Sequence, residues 1–245
     1  KTIKKLNKIR SEKRIDCTHH FNPIRYNGLT NFVNNKSQIF FYVTDTTQFS
    51  SSFQKSEVAL TQSGFNFSSI IYECDGWLVT GSRHGAYEAH DWIPPLEKFI
   101  CELYEADIPL IGVCFGHQII AQALGGVVEK FKNGWTVGRQ VYENKNGEKI
   151  KLNAYHQDQV ISAPECATSV FGNDNCKNAI IQYGKKAFTM QPHPEFSNTY
   201  IRELIDARGI GLIDDTILEN ARSGLMNDLD AIKVADQFEE FYKRA

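Results

Sequence analysis

The stretch Pro109-Leu110-Ile111-Gly112-Val113-Cys114-Phe115-Gly116-His117-Gln118 constrains the fold of this chain more than any other segment. An apolar strand runs into a cysteine that has a glycine two residues away on each side. The run Ile119-Ile120-Ala121-Gln122-Ala123-Leu124 then reads as a short helix, closed by Gly125-Gly126. A strand, a sharp turn carrying a nucleophile and a helix make up a nucleophile elbow. The glycines have a steric reason: in so tight a turn, side chains at 112 and 116 collide with neighbouring backbone. Cys114 then sits at a helix N-terminus, where unpaired N–H groups favour thiolate over thiol. A free cysteine is commonly a small buried apolar residue, and the other five are read that way. The glycine-framed position sets Cys114 apart.

A second motif lies 79 residues further on, at Phe188-Thr189-Met190-Gln191-Pro192-His193-Pro194-Glu195-Phe196. In extended backbone, residues i and i+2 point the same way, so His193 and Glu195 share a face. Pro192 and Pro194 hold that backbone extended. A cysteine, a histidine as base and a carboxylate that orients the histidine form the general nucleophilic triad. Only the fold can bring the two motifs together.

Elsewhere the chain alternates strands and helices. Residues 38–43 read as a buried strand and 77–79 as another, and 92–105 is an amphipathic helix with prolines in its first turn. Residues 135–142 and 149–154 read as strands joined by an Asn-Gly turn at 146–147. Residues 179–183 and 187–191 read as a hairpin around Gly184, and helices occupy 198–208, 214–222 and 230–244. Alternation of this kind implies a largely parallel sheet covered on both faces. A length of 245 residues suits one α/β domain.

Composition excludes other classes. A net charge of −2 argues against a nucleic-acid binder. No apolar run approaches the ~20 residues of a membrane helix, and no apolar secretory core follows the basic start. Six cysteines without C-x-x-C pairs suit a reduced, cytoplasmic setting.

At this point the sequence resembles the triad-type, class I glutamine amidotransferases. The resemblance rests on Gly112-Val113-Cys114-Phe115-Gly116-His117-Gln118 and Gln191-Pro192-His193-Pro194-Glu195. It extends through Asp75-Gly76-Trp77-Leu78-Val79-Thr80-Gly81-Ser82-Arg83-His84 and Tyr155-His156-Gln157-Asp158-Gln159, roughly residues 70–200. Within the family the chain looks most like stand-alone members, including the γ-glutamyl peptidases. The cue is Gly81-Ser82-Arg83-His84-Gly85-Ala86-Tyr87 before Asp91-Trp92-Ile93, where synthetase-linked domains carry a Gly-Gly-Pro turn. The resemblance implies a flavodoxin-like three-layer sandwich with a largely parallel central sheet and a small antiparallel hairpin extension. It implies one family domain over 1–245, with a divergent segment 1–35 and a helical extension 197–245. The family opens with an apolar strand, whereas this chain opens with seven basic residues and one acidic residue in positions 1–14.

The resemblance also implies roles. Cys114 attacks the γ-carbonyl of glutamine or of a γ-glutamyl compound, His193 is the acid and base, and Glu195 orients His193. Backbone N–H groups of Gly81, Ser82 and Phe115 meet the oxyanion. Gln118, His156 and Gln157 match positions that hold the α-amino and α-carboxylate end of the substrate. No cofactor is implied.

The remaining histidines (84, 90, 117, 156) lack H-E-x-x-H or paired short spacing, so no metal is expected. His84 and Arg83 either line the pocket or sit in an exposed loop; Asp158 either orients His156 or caps a turn; Trp77, Trp92 and Trp135 are packing residues. No G-x-x-x-x-G-K-[ST] phosphate loop occurs. Three functions are therefore open: a glutaminase whose synthetase is a separate subunit, a self-sufficient γ-glutamyl peptidase, or a regulatory binding protein without turnover.

Overall fold

The computed structural model describes residues 39–42, 71 and 76–244. The basic segment 1–35 therefore lies outside the described residues. Four strands run parallel in the main sheet: β1 (Ile39–Tyr42), β2 (Gly76–Val79), β3 (Leu110–Val113) and β10 (Ala187–Met190). Two more continue it antiparallel, β9 (Ile180–Tyr183) and β8 (Thr168–Phe171), giving the order β1-β2-β3-β10-β9-β8. The sheet is thus mixed: of the hairpin around Gly184, β10 pairs parallel with β3 and β9 pairs antiparallel with β10. Two further pairs lie outside it: β4 (Val127–Lys130) with β7 (Asp158–Ser162), and β5 (Thr136–Glu143) with β6 (Lys149–His156). The expected Asn-Gly turn joins β5 to β6, with Gly147 at φ +80° and the Asn144 side chain accepting from the Asn146 and Glu148 amides.

Period-two alternation divides the core into two faces. Trp77, Val79 and Leu110 point to one side, against helices α1 (Ile93–Glu105) and α2 (Phe115–Ala123). Helix α1 follows from its sequence: Pro94 and Pro95 occupy the first turn, where no intrahelical donor is lost. Its Ile93, Leu96, Phe99, Ile100 and Leu103 form the buried stripe. Trp77 meets Phe99 edge-on at 4.7 Å, as a packing residue.

Leu78, Ile111 and Val113 point to the other side, against the β5–β6 ribbon and helix α5 (Ala231–Arg244), which buries Val234 and Phe238. The Tyr242 hydroxyl donates to the Trp77 carbonyl at 2.7 Å, fastening the end of α5 to β2. A third cluster joins Val137 and Phe196 to α3 (Asn198–Leu204), a π-helical turn (Ile205–Gly209) and α4 (Asp215–Ser223). The expected helix over 198–208 is therefore two pieces. The expected helix over 119–124 begins earlier, at Phe115, directly after the cysteine. Among the described residues, no helix is long and apolar enough to cross a membrane.

Candidate active site

Parallel pairing closes the 79-residue gap. Val113 of β3 lies opposite Met190 of β10, so the residues following both strands emerge at the same sheet edge. The Cys114 amide donates to the Met190 carbonyl at 2.9 Å, and the Gly116 amide reaches the Thr80 carbonyl beyond β2 at 3.1 Å. Three strand ends thus deliver Gly81, Cys114 and His193 to one place. A Cβ on Gly81 would lie 3.3 Å from His193 Cε1 and 3.8 Å from Cys114 Cβ.

Cys114 has φ +55° and ψ −107°, a conformation that L-residues avoid. The flanking glycines explain how the turn forms at all. A Cβ at 116 would sit 1.9 Å from the Val79 carbonyl oxygen, and one at 112 would sit 2.6 Å from the Gly116 carbonyl oxygen. Phe115 opens α2, and its amide, like the other first-turn amides, has no acceptor within the helix.

His193 Nδ1 lies 2.7 Å from Glu195 Oε1, and the pair is almost fully buried. The Cys114 sulfur lies near enough to the ring to act on its charge. Burial alone would lower the pKa of His193. The Glu195 carboxylate and the Cys114 sulfur outweigh burial and raise it to about 10. The imidazole stacks on Phe196, with centroids 3.8 Å apart and planes within 4°. Its backbone amide donates to the Asn153 carbonyl of β6 at 2.8 Å. The Asn153 side chain in turn donates to the Phe196 carbonyl at 2.9 Å.

The three expected substrate-binding positions lie around this centre in different ways. Gln118 is buried, and its amide donates to the Asp158 carbonyl (2.9 Å) and to Gln191 Oε1 (3.1 Å). His156 is also buried, and its pKa is lowered to about 3 by burial and by the charge of His193, so it is a neutral ring. Its Nδ1 meets the Asp158 carbonyl at 3.2 Å. Asp158 thus orients His156 through its backbone, while its carboxylate accepts from Tyr87. Gln157 is half-buried, and its carbonyl accepts from the Phe131 amide.

Two features escaped sequence reasoning. His117 is buried beneath the elbow, with Nδ1 2.8 Å from Thr189 Oγ1 and its pKa lowered to about 3 by burial. Asn153 carries no motif, yet it holds the His193 segment from two directions; its only signal was a polar residue on the inward face of a strand.

The family model of glutamine amidotransferase class-I matches residues 47–207. A glutamine amidotransferase-like protein of Schizosaccharomyces pombe is 31% identical over 163 residues, covering 62% of this chain. Gamma-glutamyl peptidase 3 of Arabidopsis thaliana is 29% identical over 164 residues, covering 61% of this chain. This chain spans 66% of the length of each of these two relatives. The crystal structure of a glutamine amidotransferase from Methylobacillus flagellatus superposes with a TM-score of 0.61 at 19% identity, over 71% of this chain and 78% of that one. It is similar in its α/β fold.

Proposed function

The chain belongs to the glutamine amidotransferase class-I family, and on that premise we propose that it hydrolyses the γ-carboxamide of glutamine through a Cys114–His193–Glu195 triad. The observation that carries this reading is the convergence of a cysteine at positive φ and a carboxylate-oriented, buried histidine at one sheet edge. In this mechanism the Cys114 sulfur attacks the γ-carbonyl carbon. The amides of Phe115 and of the Gly81-Ser82 turn receive the oxyanion, each such donor being worth ~3–4 kcal/mol of barrier. His193, held as imidazolium by Glu195, gives its proton to the departing ammonia. As a neutral base it then takes a proton from the water that cleaves the γ-glutamyl thioester. Gln118 acts through the backbone it positions, since its amide is engaged with Asp158 and Gln191; that backbone, with His156 and Gln157, holds the amino-acid end of the substrate. The layering is read as flavodoxin-like, with α1 and α2 on one face of the sheet and α5 on the other.

A second reading, a self-sufficient γ-glutamyl peptidase, is favoured by the similarity to gamma-glutamyl peptidase 3. It uses the same thioester and differs only in the leaving group, an amine in place of ammonia. Under the first reading a separate synthetase subunit consumes the ammonia. The free thiols among the described residues suit a cytoplasmic enzyme. The test is a substrate panel on purified protein. Turnover of γ-glutamyl dipeptides without any added protein selects the peptidase. Glutamine hydrolysis that rises when a synthetase chain is added selects the amidotransferase subunit. Hydrolysis by Cys114→Ala at the wild-type rate overturns both.

A further inference from the structure

The loop between β2 and α1 gathers three metal-ligating side chains that the proposed reaction does not use. His84 Nδ1 and His90 Nε2 lie 3.2 Å and 2.7 Å from the same oxygen, Oε2 of Glu88. All three ligand atoms fall within 4.8 Å of one another. We propose that His84, Glu88 and His90 form a binding site for one divalent transition-metal ion, of the zinc type, with a remaining position open to water.

The donor set suits such an ion: two imidazoles and one carboxylate, without the all-oxygen environment that magnesium or calcium needs. Zinc lies 2.0–2.1 Å from nitrogen and about as far from carboxylate oxygen, so tetrahedral ligand atoms sit about 3.3 Å apart. The His84–Glu88 separation already matches that edge. The Glu88–His90 pair has to open by about 0.6 Å, which suits atoms that now share a hydrogen bond.

The carboxylate is held for the task. Its other oxygen, Oε1, accepts the Gly85 amide at 2.9 Å, leaving Oε2 directed at both rings. The rings are held too. His90 stacks parallel to Trp92 at 5.7 Å and meets His84 edge-on at 4.3 Å. All three side chains reach solvent in part, so an ion has an entry path. Arg83 Nε donates to His84 Nε2 at 3.1 Å, which places the proton of a neutral His84 on Nδ1, between the ring and Glu88. An ion takes the place of that proton; Nε2 becomes the protonated nitrogen, and the exposed Arg83 turns into solvent. H-E-x-x-H puts two histidines on one helix face, whereas His84-x3-Glu88-x-His90 converges only because the loop folds back on itself.

The site lies close to the elbow. The His84 amide donates to Ser82 Oγ, and Trp92, on which His90 stacks, packs against Phe115, so an ion would stiffen the loop that borders Cys114.

The test titrates zinc into the full chain with Cys114 alkylated, so that the sulfur cannot compete as a ligand. The expected result is one bound equivalent, with affinity falling at least tenfold in Glu88→Gln and in His90→Ala, no less than the loss of an outer-shell partner costs. Cobalt bound to the wild-type alkylated protein should show visible d–d absorption without a thiolate charge-transfer band, a readout that does not depend on how the variants fold. Unchanged affinity in both variants, or metal held only when Cys114 is unblocked, overturns the site. Both readouts are independent of turnover, so loss of the proposed hydrolase activity leaves this inference standing.

Discussion

Replacing Cys114 by glycine and by alanine separates backbone strain from chemistry. Both variants lack the sulfur and lose hydrolysis, but only alanine keeps a Cβ on a residue at φ +55°. At an ordinary buried position, glycine is less stable than alanine for two reasons. Its freer unfolded chain costs about 0.5–1 kcal/mol, and the lost methyl burial costs ~0.8 kcal/mol. Together these amount to ~1.5 kcal/mol against glycine. Strain of the kind held at 114 is worth about 1–3 kcal/mol, and glycine releases it. The expected difference therefore runs from about 0.5 kcal/mol against glycine to ~1.5 kcal/mol in its favour. Urea unfolding of the two variants, compared at equal m-value, measures it. If Cys114→Gly is less stable than Cys114→Ala by the ordinary ~1.5 kcal/mol or more, the elbow stores no strain and the steric account of the turn is wrong.

Other outcomes follow from the same contacts. Glu195→Gln removes the charge that orients and charges His193, so kcat for γ-glutamyl hydrolysis should fall about 10²–10⁴-fold while the fold is retained; a steady-state assay showing less than a fivefold loss contradicts the orienting role. Because the folded pKa of His193 is raised from 6.5 to about 10, its stabilising contribution is complete below pH ~6.5 and disappears as pH rises towards 10. The gap in unfolding free energy between wild type and Glu195→Gln should accordingly narrow across that window, and a gap that widens refutes the pairing. Phe238, fully buried between α5 and the sheet, should cost ~3–5 kcal/mol when cut to alanine; a loss under ~1 kcal/mol in chemical denaturation means that α5 does not cover this face.

The elbow and the His-Pro-Glu segment were legible because their constraints are local. Two glycines mark a turn that no other residue survives. The expected extended backbone through His193 instead turns at Pro194 and Glu195, where the Phe196 amide donates to the His193 carbonyl. The turn itself brings Glu195 to the imidazole. Helix α1 was legible for the opposite reason: its apolar spacing repeats for three turns. Strands β4, β7 and β8 were missed because each is short and buries only one or two side chains, too few to set a period. The start of α2 was placed late since His117 and Gln118 look like surface residues; both are buried because they hold a polar network under Cys114. The π-helical turn after α3 has no sequence mark, and the convergence of His84, Glu88 and His90 depends on loop geometry that spacing alone does not encode.

Cys114 hangs from the central sheet alone, whereas His193 has a second support. Cys114 follows β3, whereas the chain at His193 follows β10 and is also hooked to the β5–β6 ribbon by the hydrogen bond from its amide to the Asn153 carbonyl. The ribbon is in effect a handle on one jaw of a pair of pliers. A load on its outer end reaches the imidazole through that joint. Deuterium uptake at the His193 amide reads the grip of that joint directly.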